Sequence, residues 1–161
     1  MTPQAFWTTV LLPNANALSW ATGVTNSKQS RLLLFTIAGH ETGWRARVQV
    51  PSGVARGYWQ CERDGAVSSV MYDTITGPIL SGFCAARDIP FDLDMVFEAI
   101  AWHDALALVI ARLALWMNPN PLPAFGDEAG AWLYYLAVWR PGDQRAAAWP
   151  AVYQQSTAIV T

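Results

Sequence analysis

Ile37-Ala38-Gly39-His40-Glu41-Thr42-Gly43-Trp44, followed after a short loop by Ala55-Arg56-Gly57-Tyr58-Trp59-Gln60, is the stretch on which the reading of this chain turns. The apolar run Leu32-Leu33-Leu34-Phe35-Thr36-Ile37-Ala38 leads straight into a carboxylate, with a glycine just beyond it. A helix built this way is buried on all sides and delivers one Glu to the lip of a cleft. Apolar neighbours raise a carboxyl pKa because desolvation disfavours the charged form. A Glu that keeps its proton near neutral pH is a general acid, the reagent used on glycosidic bonds. The plainer reading of the same residues is a helix C-terminus with an exposed Glu and a glycine stop.

Outward from this stretch the pattern is helical. Thr2-Pro3 reads as a cap and first position, opening a helix to about Leu12 that Pro13-Asn14 breaks. A second short helix is expected from Asn14 to Ala21, closed by Gly23. Asn26-Ser27 caps the buried helix that carries Glu41. Arg45 to Val50 alternates polar and apolar, which allows a short strand or hairpin there. Two short helices are expected over 65–73 and 78–87, with Thr76-Gly77-Pro78 as the turn between them. Residues 92–116 give the longest helical pattern, with Asp92 and Asp94 at the end where the helix dipole favours anions. Asn118-Pro119-Asn120-Pro121 stops it. Gly126-Asp127-Glu128 starts another helix, to about Trp139, and Arg140-Pro141-Gly142 ends that one. The expected fold class is mostly α with at most a small β-hairpin. One domain covers 1–145, and a tail over 146–161, small and apolar with weak periodicity, packs on it or on a partner.

Composition narrows the function classes. Of 161 residues, 53% are hydrophobic and 14% charged, so the chain can bury a core with little charge left to spread over its surface. Nine Trp are too many to be all fully buried, and some are expected in a groove or at an interface. Net charge is −2, and the ten basic residues form no block, which argues against nucleic acid as a partner. Only Lys28 is lysine; the remaining nine are Arg, which suits planar anions. Cys61 and Cys84 have no metal-site spacing, and either two buried thiols or a disulfide is compatible with them. No metal or cofactor is expected. The N-terminal residues carry neither a basic nor an apolar leader pattern, so no signal peptide is expected. The apolar stretch 99–116 is interrupted by His103, Asp104 and Arg112, and reads as a core helix rather than a membrane span.

The pairing of His40-Glu41-Thr42-Gly43-Trp44 with Ala55-Arg56-Gly57-Tyr58-Trp59-Gln60 resembles the lysozyme-like superfamily, most closely goose-type lysozymes and soluble lytic transglycosylases. In those a helix ends in Glu followed by Ser or Thr, and a Gly-aromatic-x-Gln turn follows. A group of short phage-encoded lysozyme-like proteins is more similar still, over most of the chain: Arg47-Val48-Gln49, the turn with Glu62 after it, Pro121-Leu122-Pro123, Gly126-Asp127, Trp132-Leu133-Tyr134-Tyr135 and Trp139-Arg140-Pro141-Gly142. Family-19 chitinases share the helix-end and turn pairing. They place a second Glu between the two, whereas no carboxylate lies between Glu41 and Glu62 here.

The resemblance implies a peptidoglycan glycan strand as substrate, cleaved between N-acetylmuramic acid and N-acetylglucosamine with Glu41 as general acid/base. A transglycosylase needs no second carboxylate. A hydrolase would need one to activate water, for which Glu62 is the candidate and Asp64, beside Gly65, reads better as a turn residue. Gln60 either bonds a substrate acetamido group or satisfies the loop backbone. Gly57 is expected at positive φ or at a close backbone approach. Arg56 is expected to hold the turn through Glu62 or Asp104. Tyr58 and Trp44 are candidates for stacking on sugars, and Trp59 for the same role or for the core. One of Tyr134 and Tyr135 can face the site, since adjacent helical side chains diverge; Tyr135 is the candidate. His40 either tunes Glu41 or makes a helix-end contact. The implied setting is a phage virion, with the protein acting on the host periplasm and cell wall and touching other virion proteins or copies of itself. The alternative is a structural virion protein that keeps the fold with little or no activity.

Overall fold

The computed structural model of the chain describes residues 1–160, with residues 17 and 19–22 as backbone only. It is mostly helical with one small two-stranded antiparallel sheet. Thr2 caps α1 (Pro3–Phe6) through its hydroxyl, which accepts from the Ala5 N–H. The chain does not break at Pro13. A π-helical turn over Trp7–Leu11 runs directly into α2 (Leu12–Thr22), because the widened turn lets the Leu12 N–H reach Trp7 O just before the residue that has no N–H. Side chains serve carbonyls around it: the Thr9 hydroxyl donates to Ala5 O at 2.7 Å, and Asn14 Nδ2 to Val10 O at 2.7 Å.

Ser27 caps α3 (Lys28–Thr42), and Gly43 closes it at φ 57. Every residue from Leu32 to His40 is buried, so this helix is the axis of the fold. Fully burying each Leu, Ile or Phe on it contributes roughly 1.5–3 kcal/mol. The hairpin forms further along than the alternation at 45–50 indicates. β1 (Ala55–Arg56) pairs with β2 (Cys61–Glu62) around the Gly57–Gln60 turn, and the earlier segment adds only a single bridge, Val48 to Arg56. A π-helical turn over Arg63–Val67 leads into α4 (Ser68–Tyr72). α5 (Thr76–Ala85) starts two residues before Pro78, because Asp73 Oδ1 accepts from the Ile75 and Thr76 N–H groups and caps it.

The expected long helix over 92–116 is two. α6 (Leu93–Ala99) and α7 (Asp104–Met117) are bent by 115°. His103 causes the restart: its Nδ1 accepts the Leu106 N–H and caps α7. Together the pair is long and apolar enough to cross a membrane, but no single helix among the described residues is. α7 is buried from Leu106 to Leu115. Asp127 caps α8 (Glu128–Trp139), which ends at Arg140 in the left-handed region. The tail is helical: a short 3-10 turn, Ala146–Ala148, then α9 (Trp149–Ile159), which packs against α3 and α8 through Trp149 and Tyr153. Cys61 and Cys84 are both free and buried.

Candidate active site

The end of α3 forms part of a cleft of about 900 Å³, large enough for several sugar rings and within the range of ligand sites. One wall is the hairpin, with Gln60, Cys61 and Glu62. The facing wall is the end of α8 and the loop after it, from Trp139 to Arg145. Asn118 and Asn120, just past α7, also line it.

Side chains that donate to backbone carbonyls hold these walls in place. The Trp59 indole N–H donates to Leu34 O of α3 at 2.8 Å, and Trp59 O accepts from the Trp139 indole N–H of α8 at 2.8 Å. The Thr42 hydroxyl lies 2.8 Å from Ala38 O and 3.2 Å from Tyr58 O, which ties the helix end to the turn. Gly57 has φ 70, and a Cβ there would lie 3.1 Å from Ala107 Cβ and 3.2 Å from Ile100 O. Left-handed backbone and close packing against α7 both require glycine at this position.

Glu41 is the chemical centre of the cleft. Its side chain is 12% exposed. The Tyr135 hydroxyl donates to Oε1 at 2.6 Å, and Arg145 Nη2 lies 3.5 Å from Oε2. Burial raises the Glu41 pKa above the ordinary carboxyl value; Tyr135 and Arg145 pull it back, and the charge of Glu62 pushes it up again. The net direction is upward, toward a group that holds its proton. Cys61 is buried close enough to feel Glu41, and burial pushes its thiol up to about 12, so it is a neutral part of the lining. Burial and the neighbouring Glu41 push the Tyr135 hydroxyl upward as well, so it remains a donor.

Tyr135 is the tyrosine that faces the site. Tyr134 points away, its hydroxyl donating to Leu115 O at 2.8 Å. Glu62 is exposed in the same cleft, on β2. Gln60, at φ 47, half-buried, both lines the cleft and serves the loop, because its Nε2 donates to Gly57 O at 2.9 Å. Arg56 pairs with Glu98 and covers the Phe97 ring, so neither Glu62 nor Asp104 holds it; Asp104 is taken by Arg47 at 2.8 Å.

Three of the aromatic candidates are not available to a sugar, Trp59 because it lies wholly in the core. Trp44 is buried under α3: its indole N–H donates to Phe35 O at 3.0 Å, and its ring packs over Gly39 and beside Phe35. Tyr58 is buried against Phe6, with its hydroxyl accepting from Arg47 Nε at 3.0 Å. Both side chains turn inward because the left-handed backbone at Gly43-Trp44 and at Gly57 folds each segment back onto the core. The aromatic that does line the cleft is Trp139, half-buried and stacked on Tyr135 at 6.3 Å.

His40 acts on the loop rather than on Glu41. Its Nε2 is 2.9 Å from Gln144 O. A carbonyl only accepts, so Nε2 carries the proton. The ring is boxed edge-on by Trp132, Tyr135 and Trp149 at 5.3–5.8 Å. Burial lowers its pKa and keeps it neutral. This contact fixes the loop that carries Arg145. Neither Arg145 nor Trp139 stands out as a site residue in the sequence; the only signal is the aromatic-to-arginine run that ends α8. Among the described residues no group of three or more His, Cys, Asp or Glu could hold a metal ion.

Comparison with protein-family models, curated proteins and solved structures found no match for this chain.

Proposed function

We propose that the protein cleaves a glycosidic bond in peptidoglycan glycan, with Glu41 as the general acid. The observation that carries this reading is the state of Glu41. It is a largely buried carboxyl with a raised pKa, held by Tyr135 and open to a cleft of about 900 Å³. The Glu41 proton passes to the glycosidic oxygen as the C–O bond breaks, and the bonding electron pair leaves with that oxygen. The anomeric carbon is then closed by water, with a carboxylate taking its proton, or by a hydroxyl of the same sugar, giving an anhydro end. Glu62, exposed in the cleft, is the carboxylate for the first route. Trp139 supplies an apolar face beside the acid, and Asn118, Asn120 and Gln60 supply amides suited to hydroxyl and acetamido groups.

Purified sacculi test this directly. Wild-type protein is expected to release soluble muropeptides and Glu41→Gln to release none. Mass spectrometry separates the two routes, since an anhydro end is lighter by one water than a reducing end. Equal release by both proteins, or release by neither, rejects Glu41 as the acid of such a reaction.

A second reading, a phage virion component that serves mainly in assembly, is favoured by a different observation. Large apolar side chains stand exposed away from the cleft: Trp102 at 73%, Tyr72 at 71%, Leu133 at 66% and Ile75 at 60%. Exposed apolar groups of this size suit protein contacts. Its test is the presence of the protein in purified particles together with inactivity on sacculi.

A further inference from the structure

α8 turns an uncharged face to solvent. Ala129, Leu133 and Ala137 recur at helical spacing and are all exposed, Leu133 at 66%, with Gly130 and Leu136 half-buried beside them. Apart from two indoles, the polar side-chain groups between Ala129 and Trp139 are the hydroxyls of Tyr134 and Tyr135. Both point inward, to Leu115 O and to Glu41. A helix packed on one side ordinarily carries charged or polar residues on the other. Here none stands on the outer side, and nothing among the described residues covers it.

The charges of the helix stand at its ends. Asp127 and Glu128 open it, and Arg140 closes it. Among the described residues none of the three is in an ion pair. Asp127 accepts the Gly130 N–H as a cap, and Arg140 Nε reaches Ala137 O at 3.4 Å. Arg140 continues the exposed stripe three residues after Ala137, and its φ of 48 is one that a helix stop ordinarily gives to glycine. The helix dipole accounts for the order of these charges within one chain. It does not account for the apolar face left open between them. Turned end for end and laid on itself, that face is complementary. Leu133 lies at its middle, so it meets the second Leu133 between two alanines, whose small side chains let the helices approach. At each end a guanidinium meets carboxylates. One patch serving both copies is what a two-fold interface requires.

We propose that the outer face of α8 binds α8 of a second copy of this chain, antiparallel about a two-fold axis near Leu133, with Arg140 of each copy against Asp127 and Glu128 of the partner subunit. This holds whether or not the protein cleaves glycan. Ala137 and Arg140 also line the cleft, so the second copy borders the cleft on that side and sets the acidic start of its helix beside Arg140. α8 has 12 residues, a length of roughly 18 Å. A contact of that length falls at the low end of specific interfaces, below about 1,200 Å². The dimer is therefore a weak one, forming in the micromolar range or above.

Sedimentation velocity of the full chain, from low micromolar to millimolar concentration, tests this. The mass is expected to rise from 17.7 kDa toward twice that value. Leu133→Glu puts a charge in the middle of the seam and is expected to weaken association at least tenfold. Arg140→Glu and Glu128→Arg each oppose like charges at both ends and are expected to weaken it as well. In an equimolar mixture of these two variants, each end of the mixed dimer again pairs opposite charges, so the mixture is expected to associate at least tenfold more tightly than either variant alone. Leu133 and Arg140 are exposed and Glu128 is half-buried at a helix end, so all three variants should fold, which an unchanged thermal midpoint checks. Wild-type protein that stays at 17.7 kDa throughout, a dimer that Leu133→Glu leaves intact, or a mixture no more associated than its components overturns the proposal.

Discussion

Replacing Tyr135 with Phe removes one oxygen atom and tests the electrostatics of the cleft at their centre. The Tyr135 hydroxyl donates to Glu41 Oε1 at 2.6 Å, and the bond favours the carboxylate over the acid. The ring itself is held independently, stacked on Trp149 at 5.1 Å and against His40 at 5.3 Å, so Phe should keep the packing. A hydrogen bond to a charged group contributes about 1.5–3 kcal/mol, and one to a neutral group about 0.5–1.5 kcal/mol. The carboxylate therefore loses about 1 kcal/mol or more relative to the acid, which at about 1.4 kcal/mol per tenfold moves Glu41 upward by roughly one pH unit. Glu41 acts in its protonated form, so the alkaline limb of the pH–rate profile on sacculi should move up by the same amount. Carboxyl-carbon NMR of labelled Glu41 reads the same titration without any turnover. A Glu41 that titrates in Tyr135→Phe at the same pH as in wild type, or lower, would show that the hydroxyl does not bear on the proton and that the site has been misassigned.

Three further outcomes follow from the same geometry. Burial raises the Glu41 pKa above its value in the unfolded chain, so the unfolded chain loses this proton first as pH rises, and the native state is penalised across that window. Glu41→Gln has no proton to lose; its thermal midpoint should match wild type in acid and exceed it increasingly as pH rises through the Glu41 titration, and a constant offset would contradict this. Gly57→Ala should cost about 1–2 kcal/mol for the left-handed backbone and a further ~1 kcal/mol for crowding Ala107 Cβ and Ile100 O, read by urea unfolding. Gly39→Ala gains about 1 kcal/mol of helix propensity, yet its Cβ would lie 2.8 Å from Trp44 Cη2 and closer to Cζ2 and Cε2. Net destabilisation of about 1–3 kcal/mol with a shift in Trp fluorescence is expected, and a stabilised variant would refute the packing of Trp44 over Gly39.

What could be read along the chain was what short-range chemistry decides. Thr2, Ser27, Asp92 and Asp127 each accept from N–H groups two or three residues on, so their caps are visible in any window of a few residues. The same holds for the glycine stop after Glu41 and the left-handed Gly57. The break between α6 and α7 was not legible, because apolar residues continue at helical spacing on both sides of it and His103 acts as a cap only once the chain has turned. Pro13 misled for the opposite reason: a local breaker was absorbed by a π turn, with the Asn14 side chain serving the Val10 carbonyl. α9 opens without a capping side chain to announce it, and its burial depends on the aromatic box it completes around His40.

The site was legible at Glu41 and much less so around it, and the reason is chemical. Its walls are joined mainly by side chains that donate to backbone carbonyls: Trp59 to Leu34, Trp139 to Trp59, Thr42 to Ala38 and Tyr58, His40 to Gln144. Every residue has a carbonyl, so these partners leave no mark in the amino-acid sequence. A carboxylate paired with a lysine can be guessed; an indole paired with a carbonyl cannot. Trp44, Trp59 and Trp139 read alike in composition, yet two are structural donors inside the core and only Trp139 shows a face to the cleft. Arg145 follows the same logic at one remove. Its place beside Glu41 depends on the Gln144 carbonyl, which His40 holds, and His40 neighbours Glu41 in the chain. The residue just before the acid thus positions the cation that sits beside that acid, a connection that exists only in the folded chain.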